Sequence, residues 1–239
     1  MPVGGGKAMC NVVYEDNHLL VVVKPPNMLT QADATGDDDL FSRMKAYIKE
    51  KYQKPGDVYL GLVHRMDRPV GGLICLARTS KAAARLSKQV STHEMGREYL
   101  AIVEGILPDT GTLRHFLLKD EARNMVADVA EGTPGSQLAV LHFDCLVKGT
   151  ETSLCRIRLE TGRAHQIRVQ FATSGHPLLY DARYGHGIPG KQIALWGAKL
   201  TLTHPTQNSE MTFVSKPSGE PWGQYTNAIE RFLSAETPL

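Results

Sequence analysis

Short strand-like segments dominate this chain, and they do not alternate with helices as they do in a βαβ protein. Each combines apolar or β-branched residues with flanking glycine, proline or polar turns. They cover residues 12–24, 73–77, 97–104, 111–118, 138–147, 153–160, 193–196 and 200–203. This pattern predicts an α+β fold built on a mixed, mostly antiparallel central sheet.

Four segments have the apolar spacing of helices that pack against such a sheet. The first follows the aspartates at residues 37–39, the second follows Thr79 or Ser80, the third spans residues 165–174 and the fourth spans residues 221–233. The aromatic side chains of the fourth segment are predicted to be core rather than a base-stacking platform. Residues 119–137 are polar and rich in turns, which indicates a mobile loop or an irregular hairpin.

Length and composition favour one large domain. The 239 residues, 42% of them hydrophobic, suffice for a sizeable core, and we expect a domain over residues 12–239 after a short extension at residues 1–11. The longest apolar stretch, residues 19–23, is far short of the roughly 20 residues of a membrane span. We therefore expect no membrane partner. The N-terminus has no apolar signal core and no Cys-x-x-Cys pair occurs, so a cytoplasmic protein with reduced thiols is predicted.

Positive charge is concentrated in one segment of the chain, although the net charge of the whole chain is small. The net charge is only +2, but residues 64–97 contain seven Arg and Lys residues against one Asp and one Glu. A basic strip on a chain of modest net charge suits a surface that binds a polyanion and releases it again. Lys81, Arg85 and Lys88 can equally be read as a solvated helix face.

A single carboxylate stands among cations in the run H-R-M-D-R at residues 64–68, which Gly71 and Gly72 follow. The neighbouring positive charges should keep Asp67 ionised and close to a phosphate-binding surface. Asp67 is therefore a candidate nucleophile or electrostatic stabiliser. An isolated motif of this kind is more often a surface ion pair or a turn cap, so further segments must support the interpretation.

Such segments lie about a hundred residues further on, where T-G-R-A-H-Q-I-R occupies residues 161–168. G-H-P follows at residues 175–177 and D-A-R-Y-G at residues 181–185. With the apolar strand that ends in Lys24-Pro25 and the R-E-Y-L-A of residues 97–101, these motifs resemble the RluA family of pseudouridine synthases. The family motifs read roughly H-R-L-D-x-x-T-S-G, K-x-Y-x-A and G-R-x-H-Q-I-R. The resemblance runs in order from about residue 12 to about residue 203, and four ordered motifs are far more specific than one.

The resemblance implies a pseudouridine synthase fold with a cleft across the middle of the sheet. It also implies that Asp67 is the nucleophile, with Arg168 as its ion-pair partner. Tyr99 would face the target base and accept or relay the carbon 5 proton, while Ile167 packs against the ring. Arg65 resembles the family residue that fills the space of an extruded base.

Four more residues are substrate-binding candidates. His64 would orient the loop or contact phosphate, and Lys24, Arg163 and His165 would contact phosphate or the loop. For these last three, a purely structural role is an equal alternative. Val70-Gly71 stands where the family usually has Thr-Ser, which implies a change in how the loop is braced, and Met66 replaces the usual Leu.

The reaction implied is an isomerisation of uridine that needs no redox step and no external donor, so no cofactor and no metal is expected. The expected partner is RNA, a ribosomal or transfer RNA stem-loop, and the enzyme is expected to be a monomer. Some family members carry an RNA-binding domain ahead of the catalytic one. About ten residues precede the first strand, so we expect that domain to be absent.

Two other functions are compatible with parts of the sequence. A metal hydrolase could use the side chains of His165, His176, Asp181 and His186, but their spacing matches no compact ligand motif. A catalytically inactive RNA-binding module or ribosome-assembly factor should have lost one of the three catalytic candidates, and the chain retains all of them.

Overall fold

The computed structural model describes residues 11–236, in which eleven strands form one sheet. The strands are β1 (Asn11–Glu15), β2 (Leu19–Lys24), β3 (Gly61–Leu62), β4 (Gly71–Ala77), β5 (Gly96–Glu104), β6 (Thr110–Asp120), β7 (Met125–Val129), β8 (Gln137–Lys148), β9 (Thr152–Leu159), β10 (Leu195–Thr203) and β11 (Glu210–Val214). The α-helices are α1 (Leu40–Lys51), α2 (Ser80–Ser91), α3 (Gln166–Thr173) and α4 (Thr226–Glu236), with a 3-10 turn at Glu220–Tyr225. The predicted extension lies outside the described residues except for Asn11.

The strands are ordered β1-β2-β4-β10-β5-β9-β8-β6-β7, with β3 added to β4 and β11 added to β10. Among the described strands, only β4 and β10 pair in parallel, and every other pair is antiparallel. The predicted mixed, mostly antiparallel sheet is confirmed. None of the helices in the described part of the chain has the length and apolar character needed to cross a membrane.

Helices cover both faces of the sheet, and the pleat of β5 divides the core accordingly. Tyr99 and Val103 of β5 belong to the cluster that packs with α1 and α3. Leu100 and Ile102 point the other way, toward the cluster under α4. Because side chains alternate along a strand, odd-numbered β5 residues lie on the α1 and α3 face. The functional site described below is built on that face.

Several predicted elements are corrected. Residues 12–24 are not one strand but a hairpin, because Asp16 Oδ1 accepts the N–H groups of His18 and Leu19 and turns the chain. Residues 193–203 contain one continuous strand, β10, rather than two. Of the two alternatives predicted for residues 119–137, the structure has the hairpin, since β7 pairs with β6. The last predicted helix begins as a 3-10 turn and becomes α-helical only at Thr226.

Candidate active site

A cleft of about 1440 Å³ crosses the α1 and α3 face of the sheet. Its walls come from the loop between β3 and β4, the turn before α3 and the segment after α3. A smaller pocket of about 70 Å³ shares Asp67 and Arg168 with this cleft and is also lined by Tyr99, Ile167 and Leu195. The two long motifs, a hundred residues apart in sequence, therefore meet at one site.

The Asp67 loop is held on both sides of the carboxylate. The Thr30 hydroxyl donates to the Met66 carbonyl at 2.7 Å, and the Met66 N–H donates to the Thr30 hydroxyl oxygen at 3.3 Å. On the other side, the Val70 N–H donates to the Asp67 carbonyl at 3.1 Å. Met66 and Val70 are both buried. These anchors leave Asp67 partly exposed on a rigid loop, a common setting for catalytic groups.

The packing around Gly71 explains why this chain has no serine at position 71, where the family motif usually has one. A Cβ at Gly71 would lie 2.3 Å from the Trp196 ring, and a Cβ at Gly72 would lie 2.4 Å from the backbone of Gly197. Gly72 also has φ +126°, which side-chain-bearing residues rarely adopt. The Trp196 ring thus occupies the space that a serine at position 71 would need.

Arg168 links two carboxylates. Its Nε and Nη2 each donate to a different oxygen of Asp181 at 2.8 Å, and its Nη1 donates to Asp67 Oδ2 at 3.1 Å. The side chains of Arg168 and Asp181 are 6% and 0% exposed, whereas that of Asp67 is 24% exposed. The bidentate pair fixes the plane of the guanidinium, so one N–H points at Asp67.

The ionisation of this pair follows from its contacts. Burial alone would raise the pKa of Asp181, but the hydrogen bonds and charge of Arg168, with the N–H groups of Arg183 and Tyr184, outweigh it and lower that pKa. Burial likewise works against the charge on Arg168, but Asp181 and Asp67 together raise its pKa. Both groups are therefore charged at neutral pH.

His165 stands beside Asp67 and is held by Tyr184. The Tyr184 hydroxyl accepts the Val126 N–H at 2.9 Å and lies 2.6 Å from His165 Nδ1, so the hydroxyl proton is best assigned to the bond with Nδ1. His165 Nε2 then carries the ring proton and lies 3.9 Å from Asp67 Oδ1. Burial, more than any neighbouring charge, lowers the pKa of His165. A neutral His165 can therefore face the carboxylate as a donor.

Tyr99 and Ile167 line the small pocket opposite Asp67. Tyr99 extends from β5 and is 8% exposed, and Ile167 is 5% exposed in the first turn of α3. Burial raises the pKa of Tyr99, and the Asp67 charge adds to this while the Arg97 charge opposes it. The phenol is therefore neutral at pH 7.

Arg65 and Arg163 lie in exposed positions on the wall of the cleft. The Arg163 Nε donates to the Leu138 carbonyl at 3.0 Å, which ties the turn before α3 to β8. Arg65 has no hydrogen bond to any residue in the described range 11–236. Its guanidinium can therefore move at the cleft entrance.

For Lys24 and His64 the structure favours the structural alternative over a contact with phosphate. Lys24 is fully buried, and its Nζ donates to the carbonyls of Pro25, Met28 and Arg68, so it braces loops and cannot reach a phosphate. His64 accepts the Cys75 N–H at Nε2, and burial followed by the charge of Arg97 lowers its pKa to about 3. A neutral, buried imidazole fits loop orientation and not phosphate binding.

The side chains proposed as ligands in the hydrolase alternative are bound to other groups and do not form one cluster. His176 and His186 both bind Glu104, through its carbonyl and its carboxylate, whereas Asp181 is engaged by Arg168. Over residues 11–236, no group of three or more His, Cys, Asp and Glu side chains could hold a metal ion.

The D-A-R-Y-G motif of residues 181–185 did not predict the roles of Asp181 and Tyr184: Asp181 was a candidate only for the hydrolase alternative, and Tyr184 for none. Asp181 orients Arg168, and Tyr184 joins His165 to β7 while its ring lies 5.1 Å from the Arg168 guanidinium. The available signal was the motif itself, which combines a carboxylate and a tyrosine three residues apart with a glycine, Gly185, that packs closely against Pro177.

Comparisons with known proteins agree with this geometry. Residues 18–173, more than half of the chain, match the family model described as RNA pseudouridylate synthase. The ribosomal large subunit pseudouridine synthase D of Zymomonas mobilis is 34% identical over 84% of this chain and 67% of its own length. An uncharacterized RNA pseudouridine synthase of Bacillus subtilis, YhcT, is 35% identical over 82% of this chain and 64% of its own. The chain thus spans about two thirds of the length of these relatives.

Solved structures give the same fold. Human RNA pseudouridylate synthase domain containing 4 superposes with a TM-score of 0.72 at 18% identity, covering 94% of this chain and 93% of that one. Human RNA pseudouridylate synthase domain containing 1 gives 0.68 at 19% identity and covers 99% of both chains. The predicted pseudouridine synthase fold is confirmed, and the chain belongs to the RluA family of RNA pseudouridine synthases.

Proposed function

We propose that this protein isomerises uridine to pseudouridine in RNA, with ribosomal RNA as the favoured substrate. The observation that carries the proposal is the partly exposed Asp67, held next to a buried arginine at the edge of a pocket with Tyr99. Relatives named as ribosomal large subunit pseudouridine synthases support the choice of ribosomal over transfer RNA.

In the proposed reaction Asp67 acts as the nucleophile, on either the base or the ribose. The bond between N1 and C1′ breaks, the uracil rotates, and a bond between C5 and C1′ forms; C5 then loses its proton and N1 takes one up. Arg168 orients the attacking oxygen and stabilises the carboxylate when it leaves. Nothing is oxidised or reduced, and the product has the same atoms as the substrate.

Tyr99 is the proposed acceptor or relay for the C5 proton. Because its raised pKa keeps the phenol neutral, Tyr99 would pass its own proton on as it takes up the new one. Ile167 and Leu195 make the pocket wall apolar, which suits a flat uracil ring and limits water near the bond that breaks.

Arg65 is proposed to stabilise the extruded state of the uridine. An enzyme that acts on a base must remove it from the stack, which costs a few kcal/mol in paired RNA. The Arg65 guanidinium, exposed and without a described partner, can stack in the vacated space. Arg163 and His165 complete the proposed RNA-facing wall of the cleft.

The proposed enzyme acts as a monomer in the cytoplasm, with residues 12–239 as its catalytic domain. Its substrate suits that location, since ribosomal RNA is modified where ribosomes assemble. Sedimentation of the protein with and without RNA would test the monomeric state.

Asp67→Asn tests the proposed function directly. We expect the variant to release no tritium above background from ribosomal RNA labelled at carbon 5 of uridine, while its RNA affinity stays within a few-fold of the wild type. Asp57→Asn is the matched control, because Asp57 is an exposed carboxylate paired with Lys45 outside the cleft. Multiple turnovers by Asp67→Asn would refute the nucleophile assignment. An inactive wild-type protein that still binds RNA would favour the alternative, an RNA-binding or ribosome-assembly module.

A further inference from the structure

Arg97 occupies a position in the site to which no role has been given. It lies two residues before Tyr99 on β5, and therefore on the same face of the sheet. Its side chain lines both the large cleft and the small pocket that contains Asp67 and Tyr99. A group at this place is within reach of a nucleotide whose base enters the pocket.

The Arg97 guanidinium has no partner in the described part of the chain. Its Nε is buried without an acceptor, and no hydrogen bond or ion pair is formed by its other nitrogens with residues 11–236. Arg97 differs in this from Arg68 and Lys191 of the same cleft wall, which pair with Asp37 and Glu220, and from Arg65, which is exposed to solvent. A partly buried charge without a counter-ion is costly, so this position of Arg97 suits a ligand of opposite charge.

Packing rather than hydrogen bonding sets the position of this guanidinium. An ideal Cβ at Gly162 would lie 2.9 Å from Arg97 Nη1 and 3.1 Å from Nη2. The glycine before Arg163 therefore leaves space that the guanidinium fills, and the turn before α3 closes against it. Because Arg97 lines both cavities, the N–H groups of its terminal nitrogens remain available to a molecule in the pocket.

We propose that Arg97 binds a phosphate of the substrate RNA, one that flanks the extruded uridine. The inference rests on the proposed function, which brings an RNA nucleotide to this pocket. The uracil ring is uncharged and Asp67 is already paired with Arg168, so the phosphodiester is the anion that the substrate supplies. An arginine can donate two parallel hydrogen bonds to a phosphate, which fixes both position and orientation.

Two small probes separate phosphate recognition from recognition of the base. Uridine 3′,5′-bisphosphate and uridine are titrated into the full chain, and binding is followed by the arginine Nε–H resonances in NMR spectra. The Arg97 resonance is assigned by its absence from Arg97→Gln. We expect the wild type to bind the bisphosphate at least tenfold more tightly than uridine, as suits one charge-assisted contact. The Arg97 resonance should shift with the bisphosphate alone.

Three variants test the assignment to Arg97. Arg97→Gln should lose the preference for the bisphosphate, and Arg97→Lys should keep part of it. Gly162→Ala should also weaken it, because the added Cβ displaces the guanidinium. Arg231→Gln is the matched control: Arg231 is exposed on α4, lines neither cavity and should behave as the wild type. Thermal unfolding of each variant verifies that it is folded.

The outcomes are decisive in both directions. A preference that survives in Arg97→Gln, or a wild type that binds the bisphosphate no better than uridine, overturns the proposal. Slower tritium release by Arg97→Gln with unchanged bisphosphate affinity also overturns it, and assigns Arg97 to the chemistry at Tyr99 instead. Failure of the proposed function would show separately, as absence of tritium release by the wild type.

Discussion

The burial of His64 predicts a pH dependence of folding that can be calculated. The ring lies next to β4, where Nε2 accepts the Cys75 N–H at 3.0 Å, and Nδ1 is buried with no partner in residues 11–236. Burial, assisted by the charge of Arg97, lowers its pKa from 6.5 to about 3. Folded His64 is therefore neutral throughout the range in which an unfolded histidine takes up a proton.

The sign and size of the effect follow from proton linkage. Above pH 6.5 neither state binds this proton, and the stability is at its full value. Below pH 6.5 the unfolded chain binds it and the folded protein does not, so the free energy of unfolding falls by about 1.4 kcal/mol per pH unit. The fall continues until pH reaches the folded pKa of about 3. Between pH 7.5 and 5.0 the contribution of His64 is about 2 kcal/mol.

The assay is urea unfolding of the wild type and of His64→Gln at pH 7.5 and 5.0. Glutamine can still accept the Cys75 N–H but does not titrate, so the wild type should lose about 2 kcal/mol more than the variant between the two pH values. His93→Gln, which removes an exposed histidine, should retain the wild-type loss. Equal losses in wild type and His64→Gln, within about 0.5 kcal/mol, would refute the reasoning.

The remaining predictions concern the site and its support. Asp181→Asn should destabilise the fold by roughly 3 to 5 kcal/mol in urea unfolding, because it leaves Arg168 buried with a weakened partner, and it should also slow tritium release. Tyr99→Phe should cut tritium release sharply while filter binding of RNA stays unchanged; release at the wild-type rate would reduce Tyr99 to a packing residue. Gly71→Ser, which restores the usual family residue, should cost roughly 1 to 3 kcal/mol or more because its Cβ meets the Trp196 ring. Adding Trp196→Leu should make the combined cost smaller than the sum of the two single costs.

The sequence was most informative where local interactions decide the structure. Asp39 caps α1 by accepting the Ser42 N–H, and Thr79 caps α2 by accepting the Ala82 N–H, as residue types at these positions predict. Strand pairing was not predictable in this way. The parallel contact of β4 with β10 joins segments more than a hundred residues apart, and nothing in either segment specifies the other.

The sequence could not decide between the two predicted roles of Lys24, contact with substrate and a purely structural role, for a physical reason. A lysine after an apolar strand and before proline is typical of a strand end at the surface, and cations are rarely buried. Here the following loop folds back, and three carbonyl oxygens replace the water around the ammonium group. The cost of burial is offset only by this three-dimensional arrangement, which depends on residues as distant as Arg68. The residues next to Lys24 in the sequence therefore do not predict this arrangement.

Asp181 provides Arg168 with a second carboxylate partner, a role that the D-A-R-Y-G motif alone did not reveal. In the proposed reaction Asp67 loses its negative charge when it forms a covalent bond. Arg168, whose side chain is 6% exposed, would then be a buried cation without a partner if Asp67 were its only carboxylate. The bidentate contact with Asp181, which is fully buried, keeps Arg168 neutralised while the charge on Asp67 disappears and returns. The second carboxylate thereby makes the charge change at Asp67 compatible with a buried arginine, and it holds the guanidinium in place for the carboxylate that re-forms at the end of the cycle.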